Sequence, residues 1–139
     1  MATFPFELVS PEKLLFSGQV QEVGVPGSEG DFGVMAGHAP FIATLRPGIL
    51  TIHADGGAKR LFVRGGLAEV NPTGLTVLAE RAVPVEEIKP EMLRQLIKDA
   101  QEDIADARTD EARQRAEAQV TDLKQVLDIL VPGEAPLPH

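Results

Sequence analysis

The side chains with the widest chemical range are crowded into one stretch, Pro26-Gly27-Ser28-Glu29-Gly30-Asp31-Phe32-Gly33-Val34-Met35-Ala36-Gly37-His38. Glycines at 27, 30, 33 and 37 raise the question of a phosphate loop. Their spacing fits neither the dinucleotide fingerprint nor the P-loop, no Lys-Ser/Thr follows, and Glu29 and Asp31 would repel a phosphate. A nucleophile elbow at Ser28 needs glycine at position 26, where proline stands. Glu29 and Asp31 have the right chemistry for an acid/base pair, but a glycine loop denies them the fixed geometry that proton transfer requires. His38 reads as a hydrogen-bonded loop histidine. The chain has no Cys and three His (His38, His53, His139), which excludes thiol catalysis and Cys-ligated metals and leaves no zinc-like cluster. The expectation is therefore no catalytic residue, no metal and no covalent chemistry. Docking remains: a solvent-exposed loop of glycines and carboxylates, followed by apolar Ala39-Pro40-Phe41-Ile42, reads as a docking edge. A second cluster, Arg108, Arg113 and Arg115, can meet an acidic patch on another protein, although a solvated face is the commoner role for such charges.

The elements that must carry these residues come in two kinds. All six Phe lie in the first 62 residues and 12 of the 13 Gly before residue 75. Short apolar runs there, at Phe4–Val9, Lys13–Ser17, Val20–Pro26, Ile42–Arg46, Gly48–Ala54, Lys59–Arg64, Leu67–Asn71 and Leu75–Ala79, read as strands. Asp55-Gly56-Gly57 and Pro72-Thr73-Gly74 suit hairpin turns, and Gly65-Gly66 a bulge or corner. These predict a β-sandwich or flattened barrel of about ten short strands over residues 1–85. Past Pro84 the chain turns Ala- and Glu-rich. Pro90 suits a first helical turn, and Leu93, Leu96, Ile97, Ala100, Ile104 and Ala107 form one helical stripe. Arg108-Thr109-Asp110 breaks the pattern, with Thr109 or Asp110 as cap. Ala112, Ala116, Val120, Leu123, Val126, Leu127 and Leu130 make a second stripe, ended by Pro132. A short connection makes the helices antiparallel. The fold class is thus α+β in two domains, with a helical hairpin over 86–131 and a disordered tail over 132–139. So narrow a stripe gives the hairpin little to hold it alone, so it needs a surface to dock on.

Composition limits the partners. The 139 residues carry 13 Lys+Arg against 21 Asp+Glu, a net charge of −8. That balance disfavours nucleic acid, whose affinity comes largely from phosphate neutralisation, and disfavours acidic lipid surfaces. No 18-residue apolar run is present, so no membrane helix is expected. The start, Met1-Ala2-Thr3-Phe4-Pro5, has no basic or long apolar segment, and no export signal is expected.

Taken together, Gly27-Ser28-Glu29-Gly30-Asp31-Phe32-Gly33-Val34, Gly37-His38-Ala39-Pro40, Leu45-Arg46-Pro47-Gly48, Arg64-Gly65-Gly66-Leu67-Ala68-Glu69-Val70 and Val77-Leu78-Ala79-Glu80 resemble the epsilon subunit of bacterial F-type ATP synthase, from about Phe6 to Val131. Val9-Ser10-Pro11-Glu12 and Leu15-Phe16-Ser17-Gly18 match as well. The resemblance implies a non-catalytic rotor subunit of the proton-translocating enzyme. It would sit peripherally on the cytoplasmic face of the inner membrane and join the gamma subunit to the c-ring. It implies that the loop with Glu29, Gly30, Asp31 and His38 faces the ring, and that Phe41 and Arg46 serve docking to gamma or within the sandwich. It also implies a hairpin that restrains ATP hydrolysis by reaching the alpha and beta subunits, with Arg108, Arg113, Arg115 and Lys124 as candidate beta-subunit contacts. Some relatives bind regulatory ATP through Ile-Asp-x-x-Arg-Ala. Here Ile88-Lys89-Pro90-Glu91-Met92-Leu93 puts Lys89 for the Asp and Met92 for the Arg, so no cofactor is expected. A free-standing adaptor or chaperone with a helical clamp, and a hydrolase using Glu29 and Asp31, are the readings from other classes.

Overall fold

The computed structural model describes residues 2–132; most of the expected tail, 133–139, lies outside them. The chain divides into two compact units between Val85 and Glu86.

The first unit has eight strands: β1 (Phe4–Val9), β2 (Leu14–Val20), β3 (Glu22–Gly27), β4 (Gly30–Met35), β5 (Phe41–Thr44), β6 (Gly48–Ala54), β7 (Gly57–Asn71) and β8 (Gly74–Pro84). They follow the order β2-β1-β8-β7-β6-β3-β4, with β5 attached to β7. Only the β1–β8 pair is parallel. Side chains on β1 alternate strictly, Phe4, Phe6 and Leu8 inward, as a half-buried strand requires.

The long strand β7 makes this sheet a sandwich. Its first half pairs with β6, Gly48↔Val63 to Ala54↔Gly57, and its second half with β5, Phe41↔Val70 to Thr44↔Leu67. Leu61 and Val63 face the core in the first half, whereas Ala68 and Val70 do so in the second. A period of two cannot change parity without a break. The break is Gly65-Gly66, at φ 71° and 126°. A Cβ on Gly65 would stand 2.6 Å from the Glu80 carboxylate, and one on Gly66 would collide with the Leu78 carbonyl oxygen, so glycine is required at both. The partner β8 turns with it, in register from Leu61↔Pro84 to Asn71↔Gly74. One layer therefore holds β2, β1, the first half of β8, the second half of β7, and β5. The other holds the remaining halves of β8 and β7 with β6, β3 and β4. Eight strands supply ten segments, so the expected ten short strands become eight: the runs Lys59–Arg64 and Leu67–Asn71 are one strand bent at a corner. Phe6, Leu8, Val20, Val23, Leu50, Val63, Ala68 and Val77 are fully buried between the layers.

The second unit is a helical hairpin after a 3-10 turn at Val85–Glu87: α1 (Pro90–Asp106) and α2 (Asp110–Leu130). Lys89 precedes Pro90 in extended conformation without a side-chain cap. Thr109 caps α2, its hydroxyl accepting from the Ala112 N–H at 3.0 Å. Leu93, Ile97 and Ala100 on α1, and Ala116, Val120, Leu123, Val126 and Leu127 on α2, are buried. Leu96, Ile104, Ala107, Ala112 and Leu130 are half-buried, which completes both stripes.

Candidate docking site

The glycine-rich stretch is not a loop. Residues 22–35 form the hairpin β3–β4, paired from Glu22↔Met35 to Gly27↔Gly30, with Ser28 and Glu29 alone at its turn. The turn's positive φ falls on Gly30, at 132°, where glycine pays no steric penalty. Glu29 is exposed at this tip. Asp31, one residue into β4, is held: Arg46 reaches it in an ion pair, the carboxylate side being 71% exposed and the arginine side 21%. Arg46 also donates its backbone N–H to the Pro26 carbonyl at 3.0 Å. It sits at the junction of β5 and β6, where Leu45 bridges to Gly27. Ser28 is tied to Thr44 by a backbone bond of 2.9 Å and by their hydroxyls. The tip is thus pinned on both sides, to Thr44 at the end of β5 and to Arg46 just beyond it, which corrects the expectation of an unsupported loop.

His38 is placed elsewhere. It follows a turn in which its N–H donates to the Met35 carbonyl at 3.2 Å, and its Nδ1 bonds the Ala39 carbonyl oxygen at 2.8 Å. Six residues of β4 separate this turn from the tip, about 17 Å at strand rise. Glu29 and Asp31 share one end of β4 and His38 lies at the other.

Between the tip and β5 runs a groove of about 490 Å³, lined by Ser28, Glu29, Asp31, Phe41, Ile42 and Thr44 among others. Phe41 meets Phe32 edge-to-face, with ring centroids 5.2 Å apart and planes at 88°, and closes the margin of the sandwich there. Strand parity turns Ile42 the opposite way, 63% exposed. On that outer face a row of paired residues crosses five strands: Leu14 beside Val9, Val9 beside Leu78, Leu78 beside Leu67, Leu67 beside Thr44. Leu14 is 56% and Leu78 49% exposed. Leucines at outward positions of two strands are the signal that sequence reading passed over, because their facing depends on registers among distant strands.

On the helical unit, Arg108, Arg113 and Arg115 are exposed and Lys124 is half-buried. At 100° per residue Arg113 and Lys124 lie within about 20° of each other around α2, while Arg115 points about 160° away from Arg113. They form two groups. Among the described residues no cluster of His, Cys, Asp or Glu suits a metal ion, and no helix is long and apolar enough to cross a membrane.

A rigid sandwich, a pinned acidic tip and an open apolar face are features for contact with other subunits. Residues 3–85 match the family described as the beta-sandwich domain of the ATP synthase delta/epsilon chain. The epsilon chain of Parvibaculum lavamentivorans is 54% identical over 122 residues, covering 87% of this chain and 92% of that one. The chain belongs to the ATP synthase epsilon-chain family. The epsilon chain of Mesorhizobium japonicum is 46% identical over 131 residues, 94% of this chain and 97% of its own, so the likeness of epsilon chains extends through the hairpin. A chain of the Euglena gracilis mitochondrial ATP synthase, solved as an OSCP/F1/c-ring assembly, superposes with a TM-score of 0.77 at 25% identity, covering 94% of this chain and 83% of that one. A Tetrahymena thermophila mitochondrial ATP synthase chain, from a central stalk and c-ring structure, shares the fold at a TM-score of 0.70 and 13% identity, covering 91% and 97%.

Proposed function

We propose that this epsilon chain is a non-catalytic coupling piece of the rotor, holding gamma to the c-ring while the hairpin regulates hydrolysis. The observation that carries the reading is the outward apolar row of exposed Leu14 and Leu78 with half-buried Val9 and Leu67, on a sandwich face held stiff by pairing across five strands. A patch of that kind on a soluble domain marks an interaction site. Gamma takes this face, reaching Ile42 at its edge. Phe41 and Arg46 act one step back, by fixing the margin and the tip.

The c-ring end is the β3–β4 tip. Glu29 and the backbone of Gly30 offer acceptors to ring cations and N–H groups, and Arg46 keeps Asp31 and the tip from slipping under load. His38 lies beyond the other end of β4, bonded to the Ala39 carbonyl. The chain works at the cytoplasmic side of the inner membrane, borne by its partners rather than by lipid.

The hairpin has a narrow buried stripe, so exchanging its dock for the alpha and beta subunits requires only a few kcal/mol. When extended, Arg113 and Lys124 face one partner surface and Arg108 and Arg115 others. Lys89 stands uncapped before Pro90 and Met92 is 40% exposed. Neither offers what the family's ATP motif uses, and ATP affinity is expected above millimolar, checked by calorimetry.

The test is a pull-down of the complex from native membranes, with the wild-type chain and Leu78→Glu. Wild type is expected to bring gamma and the c-ring; Leu78→Glu is expected to lose gamma while remaining folded. Recovery of the wild-type chain alone ends the rotor reading, and full retention of gamma by Leu78→Glu moves gamma to another face. Stopping the chain after Glu87 leaves assembly intact and raises ATP hydrolysis; unchanged hydrolysis removes the regulatory role.

A further inference from the structure

The corner where β7 and β8 change layers carries a charge arrangement that neither the rotor role nor the hairpin uses. Arg64 and Arg81 are direct cross-strand partners in the β7–β8 register. Like charges in that position oppose each other and weaken a sheet. Among the described residues neither guanidinium has a carboxylate within ion-pair distance. The nearest counter-charge, Glu80, stands over Gly65, which faces it across the strands, so one carboxylate is set against two guanidinia. Arg64 is half-buried. Burial first, and the facing Arg81 second, press its guanidinium below the usual range, with Glu80 partly opposing them.

Position and rigidity are both fixed here. Val63 and Ala82, paired beside the two arginines, face the core, so Arg64 and Arg81 stand together on the outer side of the sheet. Arg60, four residues earlier on β7, shares that side and is exposed. The β7–β8 ladder continues on both sides of the pair, Val63↔Ala82 and Gly66↔Ala79, and holds the backbone under it. Three arginines on one face of a unit whose net charge is −2 (8 acidic, 6 basic in residues 1–85) make a local reversal of sign.

We infer that Arg64 and Arg81 together form a receptor for a carboxylate carried by an acidic segment of another protein. Two planar guanidinia side by side suit a carboxylate that accepts from both forks. An incoming carboxylate also removes the repulsion between them.

The test uses the isolated full-length chain and hexaglutamate peptide, so a negative result leaves the rotor reading standing. Nitrogen-15 NMR follows the Nε–H resonance of each arginine. Arg64 and Arg81 are expected to shift saturably, ahead of Arg113 and Arg115, and Arg64→Lys or Arg81→Lys is expected to weaken binding roughly tenfold, because lysine keeps the charge but loses the fork. Arg81 is exposed, so Arg81→Lys keeps the test valid if Arg64→Lys fails to fold, which the backbone spectrum reports. Equal shifts at all arginines, or unchanged binding by Arg81→Lys, overturn the site. Inorganic phosphate binding as tightly as the peptide overturns the assignment of a protein carboxylate.

Discussion

The two units of this chain are stabilised in opposite ways. In the sandwich, residues far apart in sequence bury one another: Phe6 and Leu8 of β1 pair with Leu75 and Val77 of β8, and all four are buried within 2%. In the hairpin the buried residues form one narrow stripe on each of two successive helices, with alanine at two of the eight buried positions. Non-local burial gives the first unit cooperative stiffness. Local burial gives the second a small margin, which is what a movable element needs.

Four substitutions break or sharpen that contrast. Gly66→Val combines a φ of 126° with a collision against the Leu78 carbonyl. It should destabilise the sandwich by more than about 4 kcal/mol, seen as loss of cooperative urea unfolding; a folded, near-native variant would mean that the corner is not what joins the layers. Leu123→Ala removes a fully buried side chain of α2 at a cost of about 2–5 kcal/mol. Far-UV circular dichroism should lose helix while hydrogen exchange in the strands stays slow. Loss of both together would show the units to be one cooperative body. Thr109→Ala deletes the cap on Ala112 and should cost about 1 kcal/mol, confined to faster exchange at the start of α2, with Thr109→Ser restoring it. Asp31→Asn breaks the bond to Arg46, but the carboxylate is largely exposed. The expected loss is under about 1 kcal/mol and disappears in high salt.

The same contrast decides what could be read from residue order. Both helices were legible because a period of 3.6 is written into consecutive residues, and the cap of α2 was narrowed to Thr109 or Asp110, of which the structure uses Thr109. The bounds of β1 and β6, Phe4–Val9 and Gly48–Ala54, were legible from alternation and flanking turns. Strand β4 was not. Gly30, Asp31 and Gly33 are poor strand formers, and what makes that segment a strand is its pairing with β3. Of the candidate site, the exposure of Glu29 and of the apolar edge at Phe41 and Ile42 was legible. The Asp31–Arg46 pair, the distance of His38 from the tip and the row through Leu14 and Leu78 were not, since each depends on registers between strands far apart in sequence.

The bend of β7 at Gly65-Gly66 has a mechanical result. Because β7 and β8 belong to both layers, one layer cannot slide over the other without stretching covalent backbone at the corner. A twisting force applied to the face bearing Leu78 therefore reaches the β3–β4 tip through peptide bonds and ladder hydrogen bonds, and does not rely on friction between packed side chains.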